Sequence, residues 1–117
     1  MSLNRARVVQ VAVCTHDHDE SVRFYAETFG QSFLAEITSF QFGEYGTDSF
    51  FLLTIENWLE GATPSSFGML VDDVDAVHER ALTAGAREVQ PPADFAWKPR
   101  SSIIDDPSGN RIQLSQA

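Results

Sequence analysis

His16-Asp17-His18-Asp19 places two imidazoles and two carboxylates in four consecutive residues, the side-chain types that hold divalent metals. Its position argues for a different use. Asp17 ends a run of β-branched residues and opens an amphipathic one, which is where a helix N-cap belongs. Its carboxylate is then taken by the orphan amides of the first helical turn, and the two histidines fall in an exposed connection. We therefore expect a solvated loop there. The third histidine, His78, sits on or beside the apolar stripe of a later helix and reads as a boundary residue rather than a catalyst. Cys14, the single cysteine, reads as packing rather than as a nucleophile. No Ser-His-Asp or Cys-His arrangement can be argued from spacing, and no glycine-rich phosphate loop occurs.

The elements that position these residues come as one unit used twice. Gln10 lies seven residues before Asp17, and Ser66 lies seven before Asp73. A strand at fixed offset from a helix cap, repeated, implies two β-then-α units. Val8–Val13 reads as a buried strand with Gln10 as its one polar intruder. Asp17 and Glu20 suggest a capping box, Val22, Tyr25, Ala26 and Phe29 make one helical stripe, and Gly30 supplies the stop. Strands are expected at Ser32–Ile37, Ser39–Tyr45 and Ser49–Ile55, with a turn at Tyr45-Gly46-Thr47-Asp48. In the second unit Phe67–Val71 is a strand. Asp73 caps a helix bearing Val74, Val77, Ala81 and Ala84, which Gly85 ends. Arg87–Gln90 is a strand that Pro91 and Pro92 should stop, and Ser101–Ile104 and Arg111–Leu114 form a hairpin. Its turn, Asp105-Asp106-Pro107-Ser108-Gly109-Asn110, has the type I signature. The expected fold is α+β, a single domain of two βαβββ modules at about 5–56 and 65–116, joined by a linker at 57–64. Each sheet then has one face without a helix, and two such curved faces opposed would enclose a cavity.

A chain of 117 residues can bury roughly two thirds of its unfolded surface as one domain without disulfides. A net charge of -9 disfavours nucleic acid, whose binding needs clustered Lys and Arg. It is compatible with cationic ligands. No apolar run approaches the ~18 residues of a membrane span, and no separate signal-peptide core follows Arg5 and Arg7. One cysteine fits a reducing compartment, so a soluble cytoplasmic protein is expected.

Several segments together resemble the vicinal oxygen chelate superfamily of glyoxalase I, extradiol dioxygenases, and fosfomycin and bleomycin resistance proteins. They are Val11-Ala12-Val13, Asp17, Phe24-Tyr25, Phe29-Gly30, Val71-Asp72-Asp73-Val74-Asp75, Ala84-Gly85-Ala86 and Asp106-Pro107-Ser108-Gly109-Asn110. The resemblance spans nearly the whole chain. It implies metal ligands on the first strand of each unit, on the strand after Gly46, and on the last strand. The matching positions are Gln10, Ser66, the stretch Phe50-Phe51-Leu52-Leu53, and Gln113, none of them His or Glu. A divalent ion there would lack an anionic ligand and an imidazole, so no metal and no cofactor are expected.

What the resemblance leaves is an amide and hydroxyl trio, Gln10, Ser66 and Gln113, in an aromatic-rich cup to which Phe50 also belongs. In relatives the connection holding Phe95-Ala96-Trp97-Lys98-Pro99-Arg100 covers the mouth of that cup. Trp97 and Arg100 are accordingly expected to stack on and charge-match a ligand, with Trp97 equally suited to sealing a subunit interface. The expected function is metal-independent binding of a small organic molecule, such as a cationic or aromatic antibiotic, in a homodimer. The alternative is a lyase, isomerase or dioxygenase of the same superfamily with atypical metal ligands.

Overall fold

The structure, a computed structural model, describes residues 6–59 and 62–117. Arg5, and Glu60 and Gly61 of the expected linker, lie outside them. Ten elements follow in order: β1 (Gln10–Thr15), α1 (His18–Phe29), β2 (Phe33–Leu34), β3 (Ser39–Phe42), β4 (Phe51–Asn57), β5 (Ser66–Val71), α2 (Val74–Thr83), β6 (Arg87–Ala93), β7 (Ser101–Asp105) and β8 (Arg111–Gln116). They form two four-stranded mixed sheets, β1-β4-β3-β2 and β5-β8-β7-β6, each with one helix. The α+β architecture of two similar modules is as the sequence implied.

The topology repeats down to the pairings. β1 runs parallel to β4, as β5 does to β8, and the remaining pairs are antiparallel. Val13, Phe40, Leu53 and Ile55 of the first sheet pack on Phe24 and Tyr25 of α1, while Ile104, Ile112 and Leu114 of the second pack with Val74, Val77 and Ala81 of α2. Both helices start on an aspartate, Asp17 accepting from the Glu20 amide and Asp73 from the Ala76 amide. Gly30 caps α1 at φ 68°, whereas α2 is capped by Ala84 and the left-handed turn falls one residue later, at Gly85 (φ 114°), a backbone region that only glycine enters freely.

Several local expectations change. The reciprocal half of the Asp17–Glu20 capping box does not form, because the Asp17 amide donates to the Thr15 hydroxyl at 3.0 Å instead. The fully buried face of α1 is Ser21, Phe24, Tyr25 and Thr28, one residue round from the expected stripe, because α1 also packs against α2: Arg80 Nε donates to the Thr28 carbonyl. The strand expected at Ser32–Ile37 is only β2, followed by a 3₁₀ turn at Ala35–Ile37 that ends with Thr38 at φ 47°. Pro91 and Pro92 do not stop β6, which continues to Ala93. As the outer strand of its sheet it needs no outward amide donors, and its register shifts between Glu88 and Ala93 absorb the prolines.

The two modules are joined at the Asp105–Asn110 turn. Gly109 N donates to Asp106 O at 3.0 Å, closing the turn with Pro107 in its second position. Asp106 is 4% exposed, and its carboxylate accepts from the Ser108 and Asn110 amides, Asn110 Nδ2 and the Tyr25 hydroxyl of the other module. Asn110 Nδ2 also donates to the Cys14 carbonyl, the His16 amide donates to the Ser108 hydroxyl, and the Ser65 hydroxyl donates to Ala12 O. The turn thus plugs the end of β1 and the start of α1.

Candidate functional site

With Val13, Leu53, Ile55 and Phe40 turned to the helix, alternation directs the intervening residues to the opposite face. On the first sheet this free face carries Gln10, Ala12, Cys14, Ser39, Gln41, Leu52, Thr54 and Glu56. Gln10 Nε2 donates to the Thr54 hydroxyl at 2.9 Å, and Ser39 lies 3.0 Å from the same hydroxyl. On the second sheet the free face carries Ser66, Gly68 and Leu70 beside Arg111, Gln113 and Ser115, then Ser101, Ile103 and Asp105. Gln113 Nε2 points at the Ser115 hydroxyl at 3.5 Å. Ser101, paired with Ser115, has a buried hydroxyl without a hydrogen-bond partner among the described residues.

The structure therefore gives Gln10 and Gln113 hydroxyl neighbours that sequence reading missed: Ser39 and Thr54 for one, Ser101 and Ser115 for the other. Their signal is present as polar residues at alternate strand positions on the same face as the glutamines, two residues along from the glutamines or their partners. Ser66 shares Gln113's face, exposed at the sheet edge and paired with Arg111. No hydrogen bond among the described residues links Gln10 to Ser66 or Gln113. Near Ser66, Asp105 accepts from Arg111 at 3.0 Å and from Arg87, and the Arg111 bond first, then that of Arg87, holds its carboxyl below the usual range.

Phe50 precedes β4 in a loop and meets Tyr45 edge-on at 5.2 Å. Trp97 is 79% exposed and leans on Phe95, over whose ring Lys98 Nζ sits at 4.5 Å. Arg100 is engaged within the protein. Its guanidinium grips Asp75 of α2 in a bidentate pair at 2.8 and 2.9 Å and reaches Asp94 at 3.3 Å, anchoring the 94–100 loop to the first turn of α2. The Arg100 hydrogen bond lowers the Asp75 carboxyl pKa, and the pair raises that of the guanidinium.

His16 stacks on Trp58 with centroids 4.3 Å apart, and His18 meets Phe33 edge-on at 5.6 Å, so Asp17 caps and the two imidazoles pack on aromatics. Among the described residues no three of His, Cys, Asp or Glu converge as a metal site. The family's metal positions do not suit a divalent ion either. Gln10 is in register with Leu52, its amide nitrogen is engaged by Thr54, and the amides and hydroxyls on the free faces supply no anionic donor in a shared cluster.

One polar group is buried more deeply than its expected boundary position. His78 is 2% exposed, with Nδ1 2.8 Å from the Ser102 hydroxyl and Nε2 2.8 Å from Glu88 Oε2. The atoms resemble a relay, but Ser102 is fully buried under α2, so the trio ties α2 to β6 and β7 rather than meeting a substrate. A histidine in a buried stripe needs such partners, yet spacing does not say which.

Among the described residues, no helix is long and apolar enough to cross a membrane. In overall shape the chain is similar to TioX from Micromonospora sp. ML1 (TM-score 0.70, 20% identity, covering 95% of this chain and 98% of that one). It is also similar to a glyoxalase/bleomycin resistance protein from Albidiferax ferrireducens T118 (TM-score 0.74, 22% identity, covering 93% and 98%). In sequence, 56 residues are 41% identical to an uncharacterized protein of Mycobacterium bovis, a stretch that is 48% of this chain and 37% of that protein. The repeated βαβββ topology, the Asp106 plug and a match over residues 7–114 to the sequence profile of the Glyoxalase/Bleomycin resistance protein/Dioxygenase superfamily place the chain in that superfamily.

Proposed function

We propose that this protein is a metal-independent binder of a small organic molecule, held between free sheet faces brought together in a homodimer. The observation that supports it is the chemistry of those faces. Gln10, steadied by the buried Thr54 on one sheet, and Gln113 with Ser115 on the other offer amides and a hydroxyl that orient a ligand by hydrogen bonds.

Exposed apolar residues on the same side favour pairing of two copies. Leu70 is 73% exposed on the free face of the second sheet, and Leu34 is exposed on that of the first. In such a dimer Gln10, Ser66, Gln113 and Phe50 line the cup, and Trp97 of one copy stacks on the ligand of the other. Arg100 contributes through the loop it anchors. The net charge of -9 favours a cationic, aromatic ligand such as an antibiotic, sequestered in the cytoplasm without nucleic acid or membrane as partner.

The test is a thermal-shift screen of wild type and Gln113→Ala against cationic glycopeptides, thiol conjugates and catechols, each with and without added divalent metal. The expected result is a stabilisation by one class that is independent of metal and lost in the variant. Turnover of a thiol conjugate or catechol, or a stabilisation that needs metal, overturns the reading. Light scattering on wild type and Leu70→Glu reports the dimer, and a monomeric wild type would remove it.

A further inference from the structure

The internal repeat makes one junction of this molecule unlike its mate. With Asp17 matched to Asp73, Cys14 corresponds to Leu70, His16 to Asp72, Phe24 to Arg80 and Tyr25 to Ala81. In the first module the strand end and helix start are plugged by the Asp105–Asn110 turn of the second, bound through Cys14, His16 and Tyr25. The corresponding plug for the second module is the 43–50 turn between β3 and β4. That turn is held elsewhere, with Asp48 and the Thr47 carbonyl both bound by Arg7. Ala81 offers no side chain comparable to Tyr25, and among the described residues no hydrogen bond is made by the Asp72 amide, the counterpart of the His16 amide.

The result is a cleft of about 480 Å³ where the first module has a filled joint. Phe29, Phe42, Met69 and Val71 form its apolar part, and none of the free-face glutamines or hydroxyls lines it. Its polar part carries both signs of charge. Arg80 is fixed by its Nε bond to the Thr28 carbonyl, and its guanidinium has no carboxylate partner among the described residues. Asp72 likewise has no cationic partner among them, and Asp73 caps Ala76 through Oδ1. A simple anion in this cleft would face two carboxylates, and a simple cation would face Arg80. A zwitterion satisfies both at once, and an apolar body fills the rest.

We infer that this inter-module cleft is a second binding site, for a small zwitterion with an apolar body of the class of hydrophobic α-amino acids: its carboxylate on Arg80, its ammonium on Asp72. The cleft borders the free face at Leu70, but none of the cup's polar groups lines it. Amide-resolved NMR titration of the full chain with L-phenylalanine tests it, alongside N-acetyl-L-phenylalanine, which lacks the ammonium, and L-phenylalaninamide, which lacks the carboxylate. Saturable shifts centred on Asp72 and Ala76 are expected for phenylalanine, with each blocked analogue and the exposed-site variant Arg80→Gln about tenfold weaker. Ala76→Trp, which fills the cleft, should abolish the shifts while the rest of the spectrum stays native. Absence of saturable shifts with phenylalanine at millimolar concentration, or equal binding of all three compounds, overturns the inference. Neither outcome bears on the cup, whose test reads Gln113.

Discussion

Tyr25→Phe removes one hydroxyl from the joint between modules and should cost far more than its size suggests. The Tyr25 ring is 1% exposed, and its hydroxyl donates at 2.6 Å to Asp106 Oδ2, itself 4% exposed. Burial first, then the charge of Asp106, raises the phenol pKa well above its ordinary value, so the hydroxyl remains a donor throughout the working pH range. Four donors serve the carboxylate: two backbone amides at 2.8 and 2.9 Å on Oδ1, and Asn110 Nδ2 and Tyr25 on Oδ2. Deleting one charge-assisted bond to a buried carboxylate costs about 1.5–3 kcal/mol, where a solvated phenol would cost nothing measurable. Urea denaturation of the variant, with unchanged slope, reads this directly. The cycle with Asp106→Asn separates the bond from the packing of the ring: the two losses should couple by roughly 1 kcal/mol or more. A Tyr25→Phe loss below about 0.5 kcal/mol, or strict additivity with Asp106→Asn, would refute the claim that this bond holds the modules together.

Further expectations come from other polar groups. The Asp105 carboxyl lies below its ordinary value in the folded state because Arg111 and Arg87 favour its charged form. Its stabilising effect is therefore complete above the unfolded carboxyl pKa and is lost as pH falls through the lower folded one, and Asp105→Asn should flatten the acid limb of a stability-against-pH curve in that window. Ser102→Ala should cost about 1 kcal/mol in chemical denaturation, since it leaves a buried ring nitrogen of His78 without its partner. Thr28→Val should leave stability unchanged or raise it by up to about 1 kcal/mol, because the Thr28 hydroxyl is buried without a partner among the described residues. Asp75→Asn should loosen the 94–100 loop that Arg100 anchors, seen as faster Trp97 anisotropy decay in a Trp58→Phe background, with little change in global stability.

The fold was legible where local chemistry and long-range packing agree. Asp17, Gly30, Asp73 and Gly85 bound the helices because caps and stops are decided within a few residues. β2 was not legible, since nothing in Ser32–Ile37 distinguishes a strand from a two-residue strand running into a 3₁₀ turn. Pro91 and Pro92 misled for a topological reason: whether a strand lies at the edge depends on pairing order, which no local window contains. An exposed arginine beside tryptophan fits a ligand contact, and the engagement of Arg100 by Asp75 depends on a contact with α2 that no local window contains.

The strongest sequence signals here serve the fold, and this explains why they carry family membership rather than ligand chemistry. Asp106-Pro107-Ser108-Gly109-Asn110 is the most specific motif in the chain, and every one of its polar side chains is engaged in closing a turn or plugging the first module. Such a motif can persist unchanged whatever the sheets bind. The residues that differ in chemistry from a metal centre, Gln10, Leu52, Ser66 and Gln113, sit on faces that the core does not constrain. The same duplication that builds two equal sheets also leaves one joint plugged and the other open, because Tyr25 has no counterpart larger than Ala81 and only one of the two turns carries the plug.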